Sequence, residues 1–439
     1  VRSTAKYIIV SVLFACISFA IYSNTLESEF IFDSERIKES LHLKMSSLSV
    51  ESLSKAVFND KFSKYRPFPS LTFALDYYFG GYDITQYHIT NITFHIITGI
   101  LLFWFFEILC RQLLPQTKPS RGSALAFAAA LVWLVHPVNT QSVTYIVQRS
   151  NTMATLFCLL SIIWYHKGRI SSDATRQKVF LSGAVFTWLV ALGCKQNAAI
   201  LPFFLFLYEW FCFQDLNRAW LKDRWKLMVG VLLLFLVCAA IFLGPHPVEK
   251  LSSLRDFSEA EFSYSERVLT QLRVVIYYLG LFFYPNPSRL TLDYDFPLST
   301  SLFNPVTTIL AAFAIAGLLF IAGHMARKNR VISLSIFWYF IFLFIESSFI
   351  PLALIYEHRT YMPYMGIALI TVVLADRLLK PTLPKLVLLC LTVVIGAVWT
   401  YQRNQDWKDP LTFWQDVVTK APDKARPYNN LGLVFYDQD

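Results

Sequence analysis

Apolar runs close to the ~20 residues that a helix needs to cross a bilayer recur along most of this chain, and backbone in hydrocarbon must satisfy its own hydrogen bonds. The expected fold class is therefore an all-α polytopic membrane protein. The runs are continuous and do not alternate with period two, which argues against a β-barrel. A chain of 439 residues that is 55 % hydrophobic and only 16 % charged is also no ordinary soluble enzyme. The expected spans are residues 7–23, 88–109, 122–136, 150–165, 179–194, 198–213, 227–243, 305–323, 331–348, 363–379 and 386–401, about 11 in all.

A net charge of +9 would suit a nucleic-acid partner if it formed one patch. It is spread instead over short loops on alternate sides of the spans: Arg2 and Lys6; Arg111, Lys118 and Arg121; Lys167, Arg169, Arg176 and Lys178; Arg218, Lys222, Arg224 and Lys226; Arg327, Lys328 and Arg330; Arg377, Lys380 and Lys385. Lys and Arg favour the cytoplasmic side, so that face is read as cytoplasmic and no nucleic acid is expected. The opposite face then carries residues 24–87, 137–149, 195–197, 244–304, 349–362 and the tail. A crossing at 269–284 would turn the MARKNR loop outward, so this stretch is read as re-entrant or interfacial. The first apolar run lacks a small-residue cleavage site and is expected to be a retained span. The seven cysteines lie in or at the ends of apolar segments without ligand spacing, so neither a disulfide framework nor a metal site is expected.

The face opposite the basic loops holds the chemistry. Just past the first span a strand-like FIF leads into Asp33 and Glu35, acids at a membrane edge whose desolvation is costly. Later in that loop, Pro67 and Pro69 are expected to break any helix, and LTFALDYYFGG after them to lie as a short helix in the headgroup region. Arg66 at its start is either a surface arginine or a phosphate fork. In the second span Asn91 and His95 share a helix face, which suits hydrogen bonding between helices. His136 ends one helix in HPVNTQSVTYIVQRSN, and Arg149 opens the next. Arg149 and Lys195 run against the loop bias, which makes them candidates for anion binding or for snorkelling. In YEHRTYMPYMG, Glu357, His358 and Arg359 together could hold a phosphate or a sugar, or neutralise one another. Arg289, Asp293 and Asp295 lie on the same side. In the tail, Ala425, Asn430, Leu431 and Gly432 follow the pattern of the first helix of a tetratricopeptide unit, a helix that cannot bury its own face alone.

Taken in order, FIFDSERI, YRPFPSLTFALDYYFGG, YHITNITFH, HPVNTQSVTYIVQRSN, GCKQNAAILP, LTLDYDFPLS, YEHRTYMPYMG and WKDPLTFWQDVVTKAP with NNLG resemble the transmembrane and tetratricopeptide repeat-containing O-mannosyltransferases and their bacterial relatives. The resemblance covers nearly the whole chain. It implies a GT-C-like membrane domain over 1–403, with 24–87 and 244–304 as long outer loops, followed by the start of a repeat region at 404–439. It also implies a glycosyltransferase that takes a polyprenyl-phosphate-linked sugar and passes it, with inversion, to a Ser or Thr hydroxyl of a protein held by the repeats. The active face would look into the periplasm from a bacterial inner membrane, or into the endoplasmic reticulum lumen. The family shows two adjacent acids where this chain has Asp33-Ser34-Glu35, and Lys-Glu where it has Lys195-Gln196. The resemblance carries the catalytic role to Asp33, a general base seconded by Glu35. Arg149, Lys195, His358 and Arg359 would meet the donor phosphate, with Arg66, His136, Glu357 and Arg289 as further substrate contacts. No cofactor is implied beyond the lipid-linked donor. A transporter or flippase of a lipid-linked substrate is the alternative, though no paired hydropathy repeat supports it.

The charge bias has a direct test. Cysteines introduced between 327 and 330 should label only after permeabilisation, and one at Lys408 should label in intact cells. A tail that labels only after permeabilisation would make 269–284 a crossing span.

Overall fold

The computed structural model describes residues 2–59, 66–226, 262–348 and 352–437, with isolated positions at 229, 230, 233, 237 and 350. Apart from those positions, the expected span 227–243 and the stretch 244–261 lie outside the described residues. Regular structure among the described residues is helical, with no strand. In chain order the helices are α1 Arg2–Tyr22, α2 Arg36–Glu39, α3 Val50–Phe58, α4 Pro67–Gly80, α5 Ile84–Leu113, α6 Pro119–Leu134, α7 Thr140–Val143, α8 Arg149–Ile170 and α9 Ala174–Leu192. They continue with α10 Leu201–Cys212, α11 Arg218–Asp223, α12 Tyr264–Phe283, α13 Thr307–Met325, α14 Arg330–Phe344, α15 Pro363–Leu378, α16 Thr382–Gln405, α17 Pro410–Lys420 and α18 Ala425–Tyr436.

Helices stand at every expected span position that the described residues cover. Thr4–Thr25, Ile84–Leu113, Ile146–Ile170, Thr307–Met325 and Thr382–Gln405 are each long and apolar enough to cross a membrane. Pro119–Leu134 and Pro137–Val143 qualify together as a segment bent by 54°. The other positions carry shorter or more polar helices. The chain is thus an all-α integral membrane protein. Residues 269–284 fall mostly within α12, whose first half carries Glu266, Arg267 and Arg273 and which is not among the qualifying helices.

The chain divides into two compact units, one of Val1–Ala198, Gly280–Asp295 and Tyr356–Asp439, the other of Ala199–Leu279 and Phe296–Ile355. In the second, Phe204 of α10 packs edge-on to Trp338 of α14 at 4.7 Å, and Tyr339 donates to the Val275 carbonyl at 2.6 Å. Arg267, buried, donates to the carbonyls of Leu352 and Ser348 at 2.7 Å each.

In the first unit α5 is the central helix, flanked by α1, α6 and α8, with α9 against α8 and α15 against α6. At one end the buried Glu107 accepts from Lys6 and Ser123, and from the Tyr7 hydroxyl at 2.6 Å. Asp376 nearby in sequence to the α15 terminus pairs with Arg121 and Lys385 at 2.7 Å each. Basic residues of the first turns of α1, α6 and α16 are thereby gathered on acids near the ends of α5 and α15. At the other end, Ile31, Tyr145, Val147, Leu292, Trp407, Phe413, Trp414 and Val417 form a buried core built from loops and α17. Asp409 caps α17, its Oδ1 accepting from the Thr412 N–H at 2.8 Å.

Pro67 and Pro69 start α4 instead of breaking it, because proline in the first turn gives up only an N–H that has no helical partner. The helix is anchored by Arg149, which is fully buried. Its Nη1 lies 2.6 Å from Asp76 Oδ2 and 3.2 Å from Thr72 Oγ1, both on α4. Its Nε donates to Asn91 Oδ1 at 2.6 Å, its Nη2 to the Tyr87 carbonyl at 3.0 Å, and the guanidinium lies 4.3 Å from the Phe73 ring centre. One cation therefore fastens α4 to α5 and α8.

Removing one partner of a buried pair strands the other charge, at a cost of about 3–5 kcal/mol. Asp76→Ala should lower the thermal midpoint in detergent accordingly, and adding Arg149→Met should recover part of the loss. An unchanged midpoint in the single variant would mean that the pair does not hold α4 down.

Candidate active site

Ile31 is extended and buried, and Phe32 then turns the chain with φ +54°. That left-handed conformation costs an aromatic residue roughly 1–2 kcal/mol. It is held by the Phe32 ring, edge-on to Trp414 at 5.6 Å, and by Ser34 Oγ, which accepts from the Val147 N–H at 3.3 Å. Asp33 is the outcome of this turn. Its N–H donates to the Tyr145 hydroxyl at 3.2 Å, and its carboxylate lies 3.1 Å from Arg36 with the side chain 36 % exposed, so a substrate can reach it. Burial, and then the Asp33 charge, hold the Tyr145 hydroxyl far above its ordinary pKa, so it stays a proton donor. Glu35, on the same turn, is exposed. Partial desolvation raises its pKa, Lys38 opposes this, and Glu39, Asp437 and Glu29 add to it.

Two of the expected phosphate ligands, Lys195 and Arg359, lie near a third, His358, together with Arg66. Lys195 is buried and donates to Asn151 Oδ1 at 3.0 Å, while Asn151 Nδ2 donates to the His358 carbonyl at 2.8 Å. Arg66 donates to Ser150 Oγ at 3.3 Å, beside Asn151 in the chain. Arg359 lies 5.2 Å from the Tyr356 ring, against which the His358 ring also stacks. Burial first, then the charges of Lys195, Arg359 and Arg66, hold the His358 pKa well below the usual histidine range. His358 is thus a neutral imidazole among cations and not a fourth cation. Gly193 permits the approach of the two elements. A Cβ there would stand 2.6 Å from the Phe68 ring at the start of α4, next to Arg66.

The remaining candidates have other partners. Arg149 is not turned toward an open site, since Asp76, Asn91, Thr72 and Tyr87 surround its nitrogens. His136 is a buried cap: Nδ1 accepts from the Val138 N–H at 3.4 Å, and Nε2 reaches the Phe282 carbonyl at 3.0 Å. Arg289 donates to the Tyr284 carbonyl at 2.9 Å, just past the end of α12. Glu357 is fully buried, accepts from the Tyr294 hydroxyl at 2.9 Å and faces Arg403 at 3.6 Å. Arg403 in turn holds Asp406 and Asp416 at 2.9 and 3.0 Å, and Lys420 joins them. Asp293 pairs with Arg426 of α18 at 2.8 Å. These contacts fix the loops to the tail helices.

Tyr145, Gln141, Asn151 and Asp76 were not singled out as site residues. The first three are uncharged and lie within the polar string 136–151, where charge patterning gives no signal. Asp76 had one: an acid inside an aromatic helix calls for a buried partner. Among the described residues, no three of His, Cys, Asp and Glu are placed to hold a metal ion.

The chain is similar to protein O-mannosyl-transferase TMTC3 of Mus musculus, 25 % identical over 98 % of this chain and 49 % of the relative. It is also similar to Tmtc3 of Drosophila melanogaster, 24 % identical over 85 % and 46 %, and to tmtc2 of Xenopus laevis, 32 % identical over 36 % and 19 %. No family model matches, and no solved structure matches. The chain spans about half the length of the TMTC3 relatives it matches. It therefore resembles, over nearly all of its own length, about half the length of proteins named as protein O-mannosyl-transferases.

Proposed function

We propose that this chain is the membrane-embedded part of a protein O-glycosyltransferase, which moves a sugar, mannose on the relatives' names, from a polyprenyl phosphate to a protein hydroxyl. The observation that carries this reading is the meeting of Arg66, Lys195 and Arg359 around His358, linked through residues 141–151 to the turn that presents Asp33. The cations stabilise the phosphate as the glycosidic bond breaks, the kind of electrostatic assistance commonly worth several kcal/mol. The acceptor oxygen attacks the anomeric carbon from the far side while its proton passes to the Asp33 carboxylate, and the bond electrons leave with the lipid phosphate. Inversion follows from the single displacement. Glu35, exposed beside Asp33, helps seat the acceptor. The reaction lies on the side opposite the basic loops, which faces the periplasm or the endoplasmic reticulum lumen. The helices α17 and α18 begin a repeat region that presents the acceptor.

Lys195→Ala and Arg359→Ala should each weaken use of a short-chain donor by about 1.5–3 kcal/mol, the value of a charge-assisted hydrogen bond. Steady-state kinetics on variants that keep the wild-type thermal midpoint decides this, and wild-type rates at every donor concentration would remove both from the site.

Asp33→Asn keeps shape and removes proton acceptance, so transfer should fall at least about a hundredfold with donor affinity retained. Glu35→Gln should cost less. An Asp33→Asn protein that transfers sugar at the normal rate would refute Asp33 as the base.

A further inference from the structure

We propose that Gln141 and His358 form the subsite that reads a hydroxyl of the transferred sugar, a deeper assignment that rests on the glycosyltransferase reading above. The amide of Gln141 is oriented by chemistry alone. The backbone N–H of His358 can only donate, and it lies 2.8 Å from Gln141 Oε1, so the oxygen faces His358 and Nε2 points the other way. That Nε2 is fully buried and has no hydrogen-bond partner among the described residues. Buried amide donors are almost always satisfied, so one left open beside a cluster of substrate-binding candidates is a place for a ligand acceptor.

The same oxygen settles the imidazole. Nδ1 of His358 lies 3.0 Å from Gln141 Oε1, an acceptor, so Nδ1 carries the proton and Nε2 carries the lone pair. The depressed pKa keeps the ring in that neutral form near pH 7, with Lys195, Arg359 and Arg66 as the charged groups around it. No hydrogen bond to Nε2 exists among the described residues. The ring cannot drift, because the His358 N–H is held by Gln141, its carbonyl by Asn151 and its face by Tyr356.

The subsite thus offers one donor, Gln141 Nε2, and one acceptor, His358 Nε2. A sugar hydroxyl matches such a site, since it gives a proton and takes one. An ionised phosphate has no proton to give, and its oxygens would face the imidazole lone pair. Phosphate belongs on Lys195, Arg359 and Arg66, and the sugar bonded to it lies against the neutral pair.

Binding to the protein in lipid nanodiscs would test this with farnesyl phosphate mannose and farnesyl phosphate as probes. The wild type should bind the sugar-bearing probe at least about tenfold more tightly, the effect of one or two well-placed hydrogen bonds. His358→Asn, which keeps a donor toward Gln141 and loses Nε2, should erase that margin and leave farnesyl phosphate binding within about twofold. Gln141→Met keeps the length of the side chain and removes the Nε2 donor without adding a charge, so it should do the same, and either variant suffices if the other does not fold. Variants that weaken both probes equally, or that keep the margin, overturn the subsite alone, as does a wild type that binds both probes equally. A wild type that binds neither overturns the glycosyltransferase reading itself and the subsite with it.

Discussion

Between α6 and α8 the chain runs through short turns instead of continuous helix, and every residue from 135 to 148 is buried. Broken backbone at such depth is tolerable only where the protein supplies its hydrogen bonds, because nothing else in an apolar surround can. Asn91 donates to the carbonyls of Val143 and Ile146 at 2.9 and 3.3 Å, His95 reaches that of Leu134 at 3.0 Å, and Thr400 donates to that of Val135 at 2.8 Å. Asn139 closes on the Trp133 carbonyl at 2.6 Å. The polar residues of α5 and α16 exist to support this break. The break in turn supplies the polar side chains from which the site is assembled.

That dependence explains why Arg149 is enclosed by protein groups. Its Nε holds Asn91 Oδ1, which leaves the Asn91 amide nitrogen aimed at Val143 and Ile146. Its Nη1 holds Asp76, and so brings α4 and Arg66 to the start of α8. The guanidinium thus acts on the backbone that carries the candidate site residues. A buried charge of this kind specifies one arrangement more than it adds stability, since an apolar isostere would avoid the desolvation cost.

The sequence was most legible where physics is periodic or global. Helix positions followed from apolar length, and the shared face of Asn91 and His95 from helical spacing. The orientation rule singled out Arg149 and Lys195 as outward cations, and the structure sets Lys195 near His358 but encloses Arg149 between Asp76 and Asn91. What failed was local and relational. His136 and Arg289 were read by side-chain type, yet each satisfies a carbonyl at or just past the end of α12. Gln141 and Asn151 have no charge to attract notice, and their roles depend on which way an amide points. Prolines 67 and 69 were read as breakers because the rule for helix interiors was applied where the rule for first turns holds.

The segment 356–360 shows how a short turn sorts neighbouring charges that sequence alone leaves open to mutual neutralisation. Glu357 leaves the turn toward Arg403 and Tyr294, where the ion network of Asp406, Asp416 and Lys420 holds it. His358 leaves it toward Lys195 and Arg66, and Arg359 lies against the Tyr356 ring. The acid is therefore spent on fixing the turn from behind, and the cations stay on the other side with amides and a neutral imidazole for company. Lys195, followed by Gln196, donates to the Asn151 oxygen and so is tied to the same turn.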